Sequence, residues 1–259
     1  VADREEKTER WRCRITGGGD RLNYDGDVST KTSNLETFKL LVNSTISTKG
    51  ARMCTGDISN MYLYSLLDGN EYVRFKMDHI PPRIIEHYNL DLLVHEGYAY
   101  AKIKKAWYGL KQSGRIAHDD LVQHLEKHGY TKMAFTEGLF THKTRPIHFS
   151  LVVDDFAIKY ENKEDADHLI ECMRAKYPFK VDWEAKQYIG INMKWRYDEG
   201  EVELSMDGYV TKALIEFSHI MPKQHYYGPS HKDTPVYGTK VQYANCLLYT
   251  SDAADDLFR

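Results

Sequence analysis

The segment HFSLVVDDFAIKY, residues 148–160, sets Asp154 and Asp155 side by side between two runs of apolar and β-branched residues. Such runs flanking a short polar break predict a hairpin with buried strands. An exposed two-residue turn favours Gly or Asn at its tip, whereas this one carries two carboxylates that repel one another. Buried or half-buried carboxylates in contact are costly unless something cationic neutralises them. The hairpin therefore constrains fold and chemistry together. Asp119–Asp120 shows the bland alternative, an acidic pair on the surface of a helical pattern.

The flanking pattern supplies the rest of a fold. RWRCRITGGGD reads as a strand entering a glycine turn at Gly17–Gly19, and Leu35–Ile46 has helical apolar spacing after the cap residue Asn34. A strand ends at Asp57, Pro81–Pro82 breaks a mixed region over 70–105, and GYAYAKIKKAWYGL reads as β-like. After Gly114 a helix places Ala117, Leu121 and Leu125 on one face and stops at Gly129. A second helix follows Asn162, with Ala166, Leu169, Ile170, Met173 and Tyr177 on one stripe and Pro178 past its end. Strands FKVDW and YIGINMKWRY complete the block. The order predicts an α+β fold, a split βαββαβ antiparallel sheet with both helices on one face. That topology brings the strand end at Asp57 beside the hairpin tip.

Composition narrows the partners. No apolar stretch in the 259 residues approaches the roughly 20 needed for a membrane span. The opening VADREEKTERWR is charged, which predicts no secretory signal, and the start at Val predicts a fragment of a longer reading frame. Net charge is −3, so any nucleic-acid contact must come from local clusters. Two stand out: Arg10, Arg12 and Arg14, and Lys102, Lys104, Lys105, Lys111 and Arg115. Four cysteines, at 13, 54, 172 and 246, form no C-x-x-C pair, which predicts reduced thiols with neither a disulfide framework nor a zinc site. The twelve histidines are assigned no site.

Three carboxylates at adjacent strand ends suit hard divalent cations with oxygen ligands, and Mg²⁺ takes a few carboxylates plus substrate phosphates. Paired ions of this kind can activate a 3′-hydroxyl and stabilise a departing pyrophosphate.

These residues carry a resemblance. TGDISNMYL places Tyr62 five residues after Asp57, KAWYGLKQSGRIAH is similar to the signature K-A-L-Y-G-L-K-Q-A-P-R-A-W, and LVVDDF resembles a Y-V-D-D box. YIGINMKW resembles an F-L-G-I-E-I strand, LSMDGYVTKAL an L-S-Q-x-x-Y-I-x-x-L-L segment, and PVYGTKVQYA the linker after it. Over roughly residues 9–245 the chain resembles the reverse transcriptase of copia-type LTR retrotransposons, an RNA-directed DNA polymerase within a gag-pol polyprotein. The resemblance implies a right-hand polymerase. Residues 1–50 would be part of the fingers, 51–70 palm with the first catalytic Asp, 71–105 a fingers insert, 106–197 palm with the VVDD hairpin, and 198–245 the start of a thumb or connection.

The resemblance also implies roles. Asp57, Asp154 and Asp155 would be catalytic and, with the Ile58 carbonyl, would hold two Mg²⁺ ions, with Mn²⁺ as a substitute. Tyr62 would be a steric gate against the ribose 2′-hydroxyl. Tyr108, Gly109 and Gln112 would sit at the incoming deoxynucleotide, and Arg12 and Arg14 would clamp its triphosphate. Lys186, or in second place Lys180, would protonate the leaving pyrophosphate. Expected partners are an RNA or DNA template with primer, dNTPs, and protease, integrase and ribonuclease H parts of the same polyprotein, with no membrane. The expected location is intracellular, in cytoplasmic virus-like particles with a nuclear stage.

The chain departs from the family pattern in places. Val152 replaces the Tyr of the box, Ser113–Gly114–Arg115 replaces A-P-R, His118 stands at the usual Trp, and ITGGG replaces L-V-A-K-G, which predicts a looser fingers turn. CLLYTSDAADD, residues 246–256, resembles a translated sequencing-library adapter, so 246–259 is expected to be a non-native tail. Two alternatives stay open: a decayed retroelement remnant that binds nucleic acid without polymerising, and a phosphodiesterase with similar paired metals.

Overall fold

The computed structural model describes residues 15–217, and the chain divides after Ala185 into two units. The first contains α1 (Leu35–Ser47), β1 (Arg52–Ile58), β2 (Tyr72–Lys76), α2 (Pro82–Tyr88), β3 (Val94–His95) and β4 (Tyr98–Lys102). It continues through α3 (Ser113–Lys127), β5 (Tyr130–Lys132), β6 (Leu139–His142), β7 (Ile147–Val152), β8 (Asp155–Tyr160), α4 (Lys163–Arg174) and β9 (Phe179–Asp182). The second contains β10 (Gln187–Tyr188), β11 (Ile191–Arg196), β12 (Glu201–Ser205) and α5 (Asp207–Glu216).

An antiparallel sheet in the order β5-β6-β7-β8-β1-β9 dominates the first unit. Its β1-α3-β7-β8-α4-β9 kernel has the split βαββαβ connectivity, and the β5-β6 hairpin extends one edge. Helices α3 and α4 lie on the same face, as the apolar stripes predict. Ala117, Leu121 and Leu125 from α3 and Leu169, Ile170 and Met173 from α4 share a core with Cys54, Ile58, Phe149, Phe156 and Ile158. Burying each large side chain there contributes about 2 kcal/mol. The core meets β1 closely enough to dictate a residue: a Cβ on Gly56 would strike the Phe179 ring, which itself packs edge-on against Phe156 at 5.1 Å.

The other sheet face is partly covered by α1. Asn34 caps that helix by accepting from the Thr37 N–H at 2.8 Å. The buried Lys159 ammonium donates to Ser44 Oγ and Thr48 Oγ1 at 2.8 and 2.9 Å. Polar partners of this kind offset the desolvation of a buried charge.

The region expected as one β-like run, 97–110, is strand only at β4, which pairs with β2 and β3 in a second sheet. Ile103 N–H still donates to Glu71 O at 2.9 Å, just ahead of β2, and beyond it the backbone bonds elsewhere: Leu67 N–H donates to Lys104 O at 3.1 Å and Ala106 N–H to Ser65 O at 2.9 Å. Ile103 and Leu110 then turn inward against Leu67.

The glycine run is not loose. Gly17 N–H donates to Tyr108 O at 2.7 Å, and Gly109 has φ +89°. A Cβ on Gly109 would strike the Gly17 carbonyl, and one on Gly19 would strike the Gly109 carbonyl. Two glycine segments thus meet backbone to backbone. Gly109→Ala is expected to lose about 3 kcal/mol, from the left-handed backbone and from this collision. Urea denaturation checks it, and a loss under about 1 kcal/mol would show that the segments separate without cost.

The strands of YIGINMKWRY do not finish the first sheet. β10 pairs with β11, β11 with β12, and among the described residues they form a separate three-stranded sheet. Arg196 there reaches Glu199, Glu201 and Glu203. No helix among the described residues is long and apolar enough to cross a membrane.

Candidate active site

Strands β7 and β8 are joined by two residues only, Val153 and Asp154. Val153 has φ +55°, a left-handed backbone that costs a β-branched residue about 1–3 kcal/mol. A positive φ at the first turn position matches the twist of the flanking strands, so the tight turn is kept despite its cost. Ile58 N–H donates to Asp154 O at 3.0 Å, which ties the hairpin tip to the end of β1.

Register does the rest. Asp57 lies directly opposite Asp155 on one side and Lys180 on the other, while Val152 lies opposite Asp155. Directly paired residues share a sheet face, so Val152, Asp155, Asp57 and Lys180 form a row across four strands. Ile58 and Phe156 alternate with this row and face the helices. The carboxylates therefore lie on the face away from α3 and α4. The structure brings Asp57, Asp154 and Asp155 together at adjacent strand ends.

Asp155 is pushed up to about 7, first by burial and then by the Asp154 and Asp57 carboxylates. Ser59 Oγ donates to Asp57 Oδ2 at 3.3 Å. Hard anionic oxygens that resist simultaneous ionisation suit a divalent cation of the magnesium type, so these residues fit the expected ions. Ile58, the predicted carbonyl ligand, is fully buried between Asp57 and the short turn that follows.

Asn60, with φ +57°, turns the chain from β1 into a 3-10 turn over Met61–Tyr64. Tyr62 emerges there with its ring centroid 4.8 Å from that of Tyr108, edge to face, and with the start of α3 at Gly114 close to its hydroxyl. Ser113 Oγ accepts from Trp107 N–H at 2.8 Å and fixes the intervening loop to the helix.

Gln112 is 3% exposed, and its Nε2 donates to Glu71 Oε1 at 2.6 Å. It therefore holds Glu71 instead of presenting an open amide. Nothing in the local sequence pattern around Glu71 marks it for this role. Its other carboxylate oxygen is buried without a hydrogen-bond partner among the described residues.

Lys102, Lys104 and Lys105 line a cleft of about 320 Å³ whose other walls include Val73, Phe75 and Trp107. Lys111 is exposed. Arg115 is instead committed to Asp27 and Asp119, both at 2.7 Å. Lys180 is the predicted lysine that the first sheet places next to Asp57, whereas Lys186 belongs to the second unit. Arg10, Arg12, Arg14 and the stretch 218–259, with its predicted linker and tail, lie outside the described residues.

Residues 3–229 match the family model described as reverse transcriptase (RNA-dependent DNA polymerase). A protein of Saccharomyces cerevisiae described as a transposon Ty5-1 protein is 25% identical over 162 residues, 62% of this chain and 48% of that relative. The chain thus matches about half the length of that relative. No solved structure matches.

Proposed function

The chain belongs to the reverse transcriptase (RNA-dependent DNA polymerase) family, and from that premise we propose that it is the polymerase core of a copia-type LTR retrotransposon. It would extend a primer 3′-end with deoxynucleotides on an RNA or DNA template. The observation that carries this reading is that Asp57 and Asp155 share one sheet face with Asp154 at the adjoining hairpin tip, while Tyr62, five residues after Asp57, packs edge-on against Tyr108.

In this reading the six-stranded sheet with α3 and α4 is the palm, and residues 1–50 and 71–105 belong to the fingers. Residues 106–197 would include the rest of the palm, and the thumb or connection would follow from 198; the end of β9 at Asp182 and the second unit from Lys186 favour an earlier start for it. Asp57, Asp154, Asp155 and the Ile58 carbonyl would hold two Mg²⁺ ions. When bound, such ions lower the pKa of the primer hydroxyl and neutralise charge on the departing pyrophosphate.

The chain's own residues supply position. The row of paired strands fixes the carboxylates before substrate arrives, which is where most of the catalytic advantage of such a site lies. Tyr62, braced by Tyr108, occupies the space of a ribose 2′-hydroxyl. Gln112, committed to Glu71, acts as a positioning residue for the loop carrying Tyr108 and Gly109. Arg12 and Arg14 clamp the triphosphate. Lys180, beside Asp57, takes the proton-donating role to pyrophosphate ahead of Lys186. The lysine-lined cleft grips template–primer phosphates, so binding weakens as salt rises. Protease, integrase and ribonuclease H would be parts of the same polyprotein, acting in an intracellular particle.

Primer extension on an RNA template tests the reading. The full chain is expected to incorporate dNTPs, and Tyr62→Ala is expected to reduce discrimination against ribonucleotides at least tenfold. Template binding by a folded chain with no incorporation would favour the decayed-element alternative and overturn the polymerase reading.

A further inference from the structure

A second group of metal-binding side chains lies on the helix side of the sheet, away from the carboxylate row. His124, in the last turn of α3, and His128, the residue that caps its C-terminus, stand four residues apart with ring centroids 4.7 Å from one another. Cys172 of α4 meets them there. One donor atom from each of the three side chains falls within 4.8 Å of the others, and Cys172 Sγ is 3.7 Å from His124 Nε2. A tetrahedral zinc with ordinary bond lengths separates a nitrogen from a sulfur ligand by about 3.6 Å. That pair already has the spacing.

We infer that His124, His128 and Cys172 form a binding site for a thiophilic divalent ion of the zinc type, which clamps α3 to α4. Three further observations agree. His128 Nδ1 lies 2.8 Å from the His124 carbonyl. A ring nitrogen held by a backbone carbonyl leaves Nε2 for a metal and fixes the tautomer, as ligating histidines generally require. His128 is exposed, which leaves a fourth position open to water. Tyr177 Oη, on the segment after α4, is buried without a hydrogen-bond partner among the described residues, and its ring lies 5.8 Å from that of His124. A thiolate or a metal-bound water beside it would be the acceptor this hydroxyl lacks.

The chemistry balances simply. Burial holds the Cys172 thiol up to about 12 and keeps the His124 imidazole neutral by lowering its pKa. Binding therefore displaces one proton from Sγ to solvent, and the two histidines bind as neutral imidazoles. His124 Nε2 lies 2.8 Å from the Cys172 carbonyl, a contact the ion would replace. The ion would be structural, because the site faces away from the carboxylate row. Oxygen-seeking Mg²⁺ would not compete for a thiolate.

Cobalt titration of the full chain, with Cys13 and Cys246 changed to serine, tests the inference. One equivalent of Co²⁺ is expected to give a thiolate charge-transfer band and the intense visible bands of a tetrahedral ion, both removed by zinc. One equivalent of Zn²⁺ should raise the melting temperature by several degrees. Cys172→Ser should remove the charge-transfer band, and His128→Ala should weaken binding at least tenfold. Absence of the band, its survival in Cys172→Ser, or unchanged affinity in His128→Ala would each overturn the site. If Cys172→Ser fails to fold, the exposed His128→Ala still decides.

Discussion

Asp154→Asn is expected to reduce dNTP incorporation about a thousandfold, while the melting temperature moves by no more than a few degrees. The asymmetry follows from how Asp154 is held. Its backbone carbonyl accepts from Ile58 N–H at 3.0 Å, so the hairpin tip stays tied to β1 after the substitution. The side chain is nearly isosteric, and the two-residue turn keeps its backbone. What is lost is one of three negative charges that would hold the ions, in a site where a single preorganised electrostatic group contributes about 10²–10³ in rate. Template–primer binding should survive, because the lysine-lined cleft does not involve Asp154. Single-turnover extension on an RNA template, with a filter-binding control, makes the measurement. Retention of more than about a tenth of the rate would remove Asp154 from the catalytic set.

The candidate site was legible in the sequence wherever a local pattern was forced by burial. A strand period of two with apolar residues on both flanks allows one hairpin register, and a shift by one residue would turn every side chain over. The VVDD tip and the stripes of α3 and α4 follow from such patterns. Asp57 required topology as well: only the split βαββαβ order brings its strand next to the hairpin. Illegible features depend on partners distant in sequence. Gln112 reads as an open amide until Glu71, 41 positions earlier, is seen to hold it. The Gly17–Gly109 contact is a backbone meeting that no side-chain pattern records. Strand alternation likewise marks 187–196 as β without saying which sheet it joins. The H-x-x-x-H spacing of HLEKH was visible in the chain, and its meaning depends on Cys172, which only the packing of α4 supplies.

Asp155→Asn is expected to stabilise the metal-free protein by about 2 kcal/mol at pH 8 and by little near pH 4.5, while primer extension is lost. The ordinary carboxyl value is 3.8 and the folded value about 7, raised by burial and then by Asp154 and Asp57. The folded state thus holds this proton more tightly than the unfolded chain. Well below pH 3.8 both states are protonated and the site costs nothing. As pH rises from about 4 to 7 the unfolded chain ionises first, and the folded protein loses stability until the deficit is complete above 7. Asparagine cannot ionise, so the variant escapes the deficit, and its amide offers donors to the neighbouring carboxylates. The 2 kcal/mol is about half of what the shift would carry for a wholly shielded carboxyl, since Asp155 is partly exposed. Urea melts of both proteins at the two pH values, without divalent ions, measure the effect, and equal gains at both would refute the electrostatic origin. Adding Mg²⁺ at pH 8 should then stabilise the parent more than the variant, because the cation relieves a repulsion that the variant no longer has. Together with the left-handed Val153 backbone, this places two destabilising features at one hairpin tip. A turn built for stability would discard both, and a site that must bind cations with three carboxylates has reason to keep them.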